Sequence, residues 1–256
     1  MVATLQALRP PRAMRWVNYW RGITAGLVFL GLLSLLFLKP RFLGIPHFFG
    51  ILLTLIFWGF AIWSYGIARH RGRIVGEGSE GEAMVAKVID GLPMDARVLH
   101  SVQFESGEKT RELDHLLITH NVMFVIETKY LRGRIVGDVM DREWTLHKRA
   151  RKTRSRYKRG FYNPLKQVAT QIYHLRSHLE TNLNDRWAHE CSQIWIQGVV
   201  VFAHPQGDSS AVVNHAHGVV SLDDLPKYLA NYRAPSRARR LSYGLRREIC
   251  RVLTGH

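Results

Sequence analysis

The sequence predicts an α/β protein: a central β-sheet with helices packed on it, preceded by two transmembrane α-helices. Three observations carry this. Residues 1–69 hold two long runs without a charged side chain. Residues 113–119 (LDHLLIT) and 122–128 (VMFVIET) read as two strands around a His120-Asn121 turn. Both are apolar almost throughout, and a strand of that kind is covered on both faces. After them, Leu165, Val168, Ala169, Ile172, Leu175 and Leu179 recur at helical spacing.

The uncharged runs are 22–38 and 45–68, separated by Lys39-Pro40-Arg41. A bilayer core takes about 20 apolar residues as a helix. Trp16, Tyr19 and Trp20 before the first run, and Trp58, Trp63 and Tyr65 late in the second, suit the headgroup belts. A cleaved signal peptide fits less well. No small-residue cleavage site follows the first run, and the second comes at once. Residues 1–69 contain seven Lys/Arg and no Asp or Glu. Arg9, Arg12, Arg15 and Arg21 precede the hairpin, Arg69, Arg71 and Arg73 follow it, and the loop carries only Lys39 and Arg41. The excess of positive charge outside the loop puts both termini, and everything after Arg73, on the cytoplasmic side of an inner membrane. The flanking arginines suit anionic lipid. The organisation expected is a basic N-terminus (1–21), a membrane hairpin (22–69), a linker (70–81), a globular domain (76–232) and a basic C-terminal helix (233–256).

Gly76-Glu77-Gly78-Ser79-Glu80-Gly81 matches G-x-G-x-x-G, but no strand precedes it and its two glutamates repel a pyrophosphate. It reads as a flexible exit followed by a capping box, Ser79 with Glu82, opening a helix that Gly91-Leu92-Pro93 stops. Residues 96–104 read as a strand, and 129–145 as short strands and turns. Asn163-Pro164 opens the long helix. Residues 194–203 (IWIQGVVVFA) are a buried strand, 212–220 another, and Ser221-Leu222-Asp223-Asp224 precedes a helix ending near Tyr232.

The chemistry concentrates in the hairpin. With a two-residue turn, Thr119 pairs with Val122, and Asp114 falls opposite Glu127. Cross-strand partners have Cβ atoms about 4.5–5.5 Å apart, and like charges there are unfavourable. Period 2 puts Lys129 on the Glu127 face. An internal Lys129–Glu127 salt bridge accounts for part of this pattern. A divalent cation accounts for two facing carboxylates more economically, because Mg²⁺ takes one or two carboxylates with water and phosphate. A lysine beside such a site orients water or stabilises developing phosphorane charge.

The order Gly81-Glu82, Asp114-His115, Glu127-Thr128-Lys129, Trp144, Asn163-Pro164-Leu165-Lys166-Gln167 and the VVVF strand resembles the NERD (nuclease-related) domain, over about residues 76–232. That domain is similar in turn to the PD-(D/E)XK restriction-endonuclease-like superfamily. The resemblance implies a mixed β-sheet flanked by helices and Mg²⁺- or Mn²⁺-dependent phosphodiester cleavage. It implies Asp114 and Glu127 as metal ligands and Lys129 as the residue serving the attacking water. Glu82 is the helix carboxylate joining the site, and Gln167 the polar helix residue near it. One departure is Thr128-Lys129-Tyr130 in place of Val-Lys-Asn, with residue 128 pointing away from the site.

The chain carries 36 Lys/Arg against 20 Asp/Glu, a net charge of +16. Half-way along lies 147–160 (HKRARKTRSRYKRG), with Lys148, Arg149, Arg151, Lys152, Arg154, Arg156, Lys158 and Arg159 and no acid. This run fits a nucleic-acid partner, DNA before RNA, with Tyr157 and Phe161 available to stack on bases. A solvated loop and a contact with anionic lipid are the other readings. His215 and His217 have ligand-like spacing without accompanying carboxylates or thiols, and His115 alternates away from Asp114. Cys191 and Cys250 have neither a disulfide framework nor a nucleophile's partners. The function expected is a membrane-anchored, Mg²⁺-dependent nuclease. The alternative is a non-catalytic nucleic-acid-binding or membrane-tethered interaction module on the same fold.

Overall fold

The structure, a computed structural model, describes residues 2–6, 12–34, 47–149, 156–213 and 218–255. They divide into two compact units, Met1–Leu8 with Gly78–His256, and Arg9–Glu77.

The smaller unit contains α1 (Arg12–Ser34) and the first part of α2 (His47–Asp90). Trp20 and Trp63 meet edge to face at 6.1 Å. Thr24 Oγ1 lies 3.0 Å from Ser64 Oγ. Among the described residues no helix is long and apolar enough to cross a membrane, so the expected two-span hairpin is not supported. The first apolar run ends, and the Lys39-Pro40-Arg41 break lies, outside the described residues.

The expected linker at 70–81 is helix instead: α2 runs through it without interruption to Asp90. Ser79 is therefore not an N-cap, and Glu82 sits in a helix interior. Glycine there costs about 1 kcal/mol relative to alanine. Gly81 has a packing reason to be glycine, since a Cβ would lie 2.8 Å from the Tyr130 Cβ. The helix ends where the sequence places its stop, with Gly91 N–H donating to Lys87 O at 3.3 Å.

The larger unit is built on two sheets. The first has six strands in the order β1-β2-β3-β4-β8-β10. These are β1 (Val2–Gln6), β2 (Ala96–Ser106), β3 (Lys109–Thr119), β4 (Met123–Lys129), β8 (Ile196–Phe202) and β10 (Val219–Ser221). The β2–β3 and β3–β4 pairs are antiparallel, and the other three are parallel. β1 falls in a segment expected only as a basic tail. The second sheet, in the order β7-β6-β5-β9, contains β5 (Gly133–Asp138), β6 (Glu143–Arg149), β7 (Arg156–Tyr162) and β9 (Gly207–Val213). The strand expected at 212–220 is thus two strands in two sheets.

Helices cover both faces of the first sheet, as the continuous apolar strands require. On one face α3 (Pro164–Asn182), α4 (Asp185–Ser192) and α6 (Tyr243–Thr254) contribute Leu175, Leu179, Cys191 and Leu245 to a core with Leu116, Val125 and Val200. On the other, Val85 and Ile89 of α2 join Leu225 and Leu229 of α5 (Leu225–Asn231) over Leu117, Phe124 and Val199. α3 lies close on β8 because residue 198 is glycine, where a Cβ would fall 2.4 Å from Val168 Cγ1. Asn163, fully buried, fixes the start of α3. Its Oδ1 accepts from Leu165 N–H at 2.9 Å, and its Nδ2 donates to Val139 O at 3.0 Å and Asp141 O at 2.8 Å.

Candidate active site

β3 and β4 pair from Ile118↔Met123 to His115↔Ile126, a register that would next bring Asp114 opposite Glu127, but these two do not pair. The ladder stops there. On its other side β3 also breaks: pairing with β2 passes from His100↔His115 to Val102↔Leu113, skipping Ser101 and Asp114. Ser101 takes a left-handed backbone, φ 51°. Such a break re-aims a side chain next to a site. The Asp114 carboxylate turns to accept the Thr128 N–H at 2.7 Å. Residue 128 therefore does touch the site, through its backbone.

Glu127, only 4% exposed, is the centre of the cluster. Its Oε1 accepts from Lys129 Nζ at 2.6 Å and from Gln167 Nε2 at 2.7 Å. Lys129 Nζ also donates to Gln167 Oε1 at 3.0 Å, closing a three-membered ring of hydrogen bonds. Glu127 Oε2 accepts from Gln171 Nε2 at 2.8 Å. The structure thus brings Lys129, Glu127 and Gln167 into direct contact, with Asp114 at the adjacent strand position. Gln171 joins them although no sequence argument singled it out. Its signal was available: it lies four residues after Gln167, on the same helix face.

Glu82 reaches this cluster electrostatically from α2. Burial pushes its carboxyl up to about 7, helped by Glu112 and Glu127 and opposed by Lys129. Burial also holds the Asp114 carboxyl well above the usual carboxylate range. Glu127 and Glu82 add to that effect, while the Thr128 N–H and Lys129 act against it. The crowding has a clear sign: Glu82, Asp114 and Glu127 all feel the ammonium of Lys129. All the donor atoms are hard oxygens, which suit Mg²⁺ or Mn²⁺ and not a soft metal. Among the described residues no three His, Cys, Asp or Glu side chains are gathered to hold a metal unaided. Asp114 and Glu127 are the two carboxylates at this strand end that could offer oxygens to such an ion.

His115 lies on the opposite face of β3. Its Nδ1 is 2.6 Å from His100 Nδ1, and burial, with His100 beside it, lowers its pKa to about 3, so it stays neutral. Cys191 and Cys250 are buried free thiols, and burial raises both pKa values. His215 and His217 lie outside the described residues.

The basic run is not a loop at its two ends. β6 and β7 form an antiparallel hairpin with Lys148 opposite Tyr157, His147 opposite Lys158 and Leu146 opposite Arg159. Arg149 and Arg156 are its last paired positions, and Arg151, Lys152 and Arg154 lie outside the described residues. Lys158 and Arg159 are exposed, and Tyr157 is 54% exposed. The hairpin leads straight into Asn163 and the helix that carries Gln167 and Gln171.

Residues 77–203 match the family model of NERD, the nuclease-related domain. The match spans every residue of the cluster, from Glu82 to Gln171, and supports the resemblance carried by the sequence motifs. An uncharacterized protein of Bacillus anthracis is 34% identical over 94 residues, which are 36% of this chain and 41% of that protein. The crystal structure of protein VC1899 from Vibrio cholerae aligns with 94% of this chain and 55% of its own, at 14% identity and a TM-score of 0.26, too low to bear on the fold. The chain thus spans about half or less of the length of these relatives.

Proposed function

We propose that this chain is a divalent-cation-dependent nuclease that hydrolyses phosphodiester bonds of nucleic acid. The observation that carries the reading is the convergence of Asp114, Glu127 and Lys129 at the end of the β3–β4 ladder, within the segment that matches the nuclease-related domain. A pure binder of polyanions gains nothing from a cluster of carboxylates beside its phosphate. Asp114 and Glu127 would hold Mg²⁺ or Mn²⁺. Bound there, the cation supplies Lewis acidity, which makes water a better nucleophile and shields phosphate charge. The chain's own residues do the rest. Lys129, kept in place by Glu127 and Gln167, orients the attacking water and stabilises negative charge as it develops on phosphorus. Gln167 Oε1 accepts a second hydrogen bond from the Lys129 ammonium and so fixes its direction. Glu82, protonated over part of the neutral range, is available to exchange a proton with the solvent side of the cluster. The β6–β7 hairpin, with Lys158 and Arg159 exposed, offers the polyanion its positive surface.

The test uses the full chain with plasmid, single-stranded DNA and RNA, each with Mg²⁺, Mn²⁺ or EDTA. Cleavage is expected only with the cation, and Lys129→Ala and Asp114→Ala should each lower it about 100-fold or more. A folded chain that binds DNA in a salt-sensitive way yet cuts nothing under any of these conditions is a binding module instead.

One observation favours attachment to the inner membrane. In the Arg9–Glu77 unit, Leu55, Ile62 and Trp63 are 66%, 70% and 59% exposed, and Arg69 and Arg71 follow them. Large apolar side chains left exposed along a helix in this way suit a lipid or protein contact. Anchoring there, with the nuclease-related domain on the cytoplasmic face, predicts that the chain sediments with membranes and resists alkaline carbonate extraction. Quantitative release by salt alone would reject it.

A further inference from the structure

Glu127 is gripped by one helix at both oxygens. Gln167 Nε2 holds Oε1 at 2.7 Å, and Gln171 Nε2 holds Oε2 at 2.8 Å. A carboxylate bound in this way has a fixed plane. Gln171 is tied a second time, its Nε2 donating to the Glu112 backbone oxygen at 3.3 Å. These two bonds decide how its amide is turned. The reverse orientation would set Gln171 Oε1 against a carboxylate oxygen and a carbonyl oxygen, three acceptors with no hydrogen between them. Oε1 is left buried, with no hydrogen-bond partner in the protein, on the very amide whose nitrogen touches Glu127.

A buried amide oxygen kept without a partner needs a reason. The Lys129 ammonium is already shared between Glu127 and Gln167. What suits the oxygen is a hard cation, which takes amide oxygens alongside carboxylates. We propose that Gln171 is a working part of the divalent-cation site. Its Nε2 fixes the Glu127 carboxylate, and its Oε1 adds a neutral oxygen to the shell begun by Asp114 and Glu127. This rests on the metal-dependent reading above.

The test reads metal binding and stability instead of cleavage. The full chain, Gln171→Met and Gln171→Glu are titrated with MnCl₂ by calorimetry, and their thermal unfolding is followed in EDTA and in Mn²⁺. Gln171→Met is expected to fold and to bind Mn²⁺ about 10–100-fold more weakly, the loss typical of groups that orient metal ligands. Gln171→Glu is expected to melt below the parent chain in EDTA, because it faces Glu127, and to gain more from Mn²⁺ than the parent does. A residue that merely packs against Glu127 would show the loss in EDTA without the larger gain from the ion. Equal Mn²⁺ affinity in Gln171→Met and the parent, or no larger Mn²⁺ gain in Gln171→Glu, overturns the proposal while leaving the metal site standing. Should Gln171→Met fail to fold, the Gln171→Glu comparison decides alone. No saturable Mn²⁺ binding by the parent chain overturns the metal-dependent reading itself, and this proposal with it.

Discussion

Asp114, Glu127 and Lys129 come together because a two-residue turn leaves only one register for the strands beside it. Glu82 is a different case. Its ordinary pKa is 4.5 and burial raises it to about 7, so between those values the folded chain binds more protons than the unfolded one. Stability therefore falls as pH rises from about 4.5 to about 7, and this contribution is constant beyond that window. Asp114, shifted in the same direction, adds to the decline. The urea midpoint measured in EDTA from pH 4 to 8 should drop across this range, and Glu82→Gln should flatten part of the drop. Parallel curves for the two proteins would show that Glu82 is not held in its protonated form.

At the scale of elements, α2 and the β6–β7 hairpin depart furthest from expectation. Gly76, Gly78 and Gly81 look like a linker by composition, yet all three lie inside α2. Local preference is worth about 1 kcal/mol per glycine, and tertiary packing overrides it. The glycines themselves separate the two effects. Around Gly78 nothing lies within 4 Å of a built Cβ, whereas at Gly81 the Tyr130 Cβ is 2.8 Å away. Gly78→Ala should raise stability by about 0.5–1 kcal/mol. Gly81→Ala should lower it by about 1–3 kcal/mol, because the obstacle sits next to the backbone and cannot swing aside. Thermal melts of the two variants decide this. The basic run was open to a solvated-loop reading because eight like charges in fourteen residues oppose strand pairing. Pairing wins at its ends, where Trp144, fully buried, and Phe161 anchor the hairpin to the core.

For the whole molecule, charge is the property that shapes association. A net charge of +16 concentrates counterion exchange on any nucleic acid it meets. Binding of the full chain to duplex DNA should weaken steeply with salt. Lys158→Gln and Arg159→Gln should each lower the slope of log affinity against log salt by about one. The two should act uniformly across sequences, since phosphate contacts carry no base information. An unchanged slope in the double variant would move the polyanion's path away from this hairpin.

Several features are legible from the residues alone. They are the sheet covered on both faces, the hairpin register with its facing carboxylates, the Asn163 cap of the long helix and the match to a nuclease-related domain. Each depends on short-range periodicity or on a motif of adjacent residues. The two-sheet arrangement, the strand made by Val2–Gln6, the course of α2 through its glycines and the left-handed break of β2 at Ser101 are not legible in that way. Nor is the joint hold of Gln167 and Gln171 on Glu127. All of these arise from contacts between residues far apart in the chain, such as Tyr130 against Gly81 and Val168 against Gly198. Packing free energy there outweighs local propensity, and only the folded chain reveals where those contacts fall.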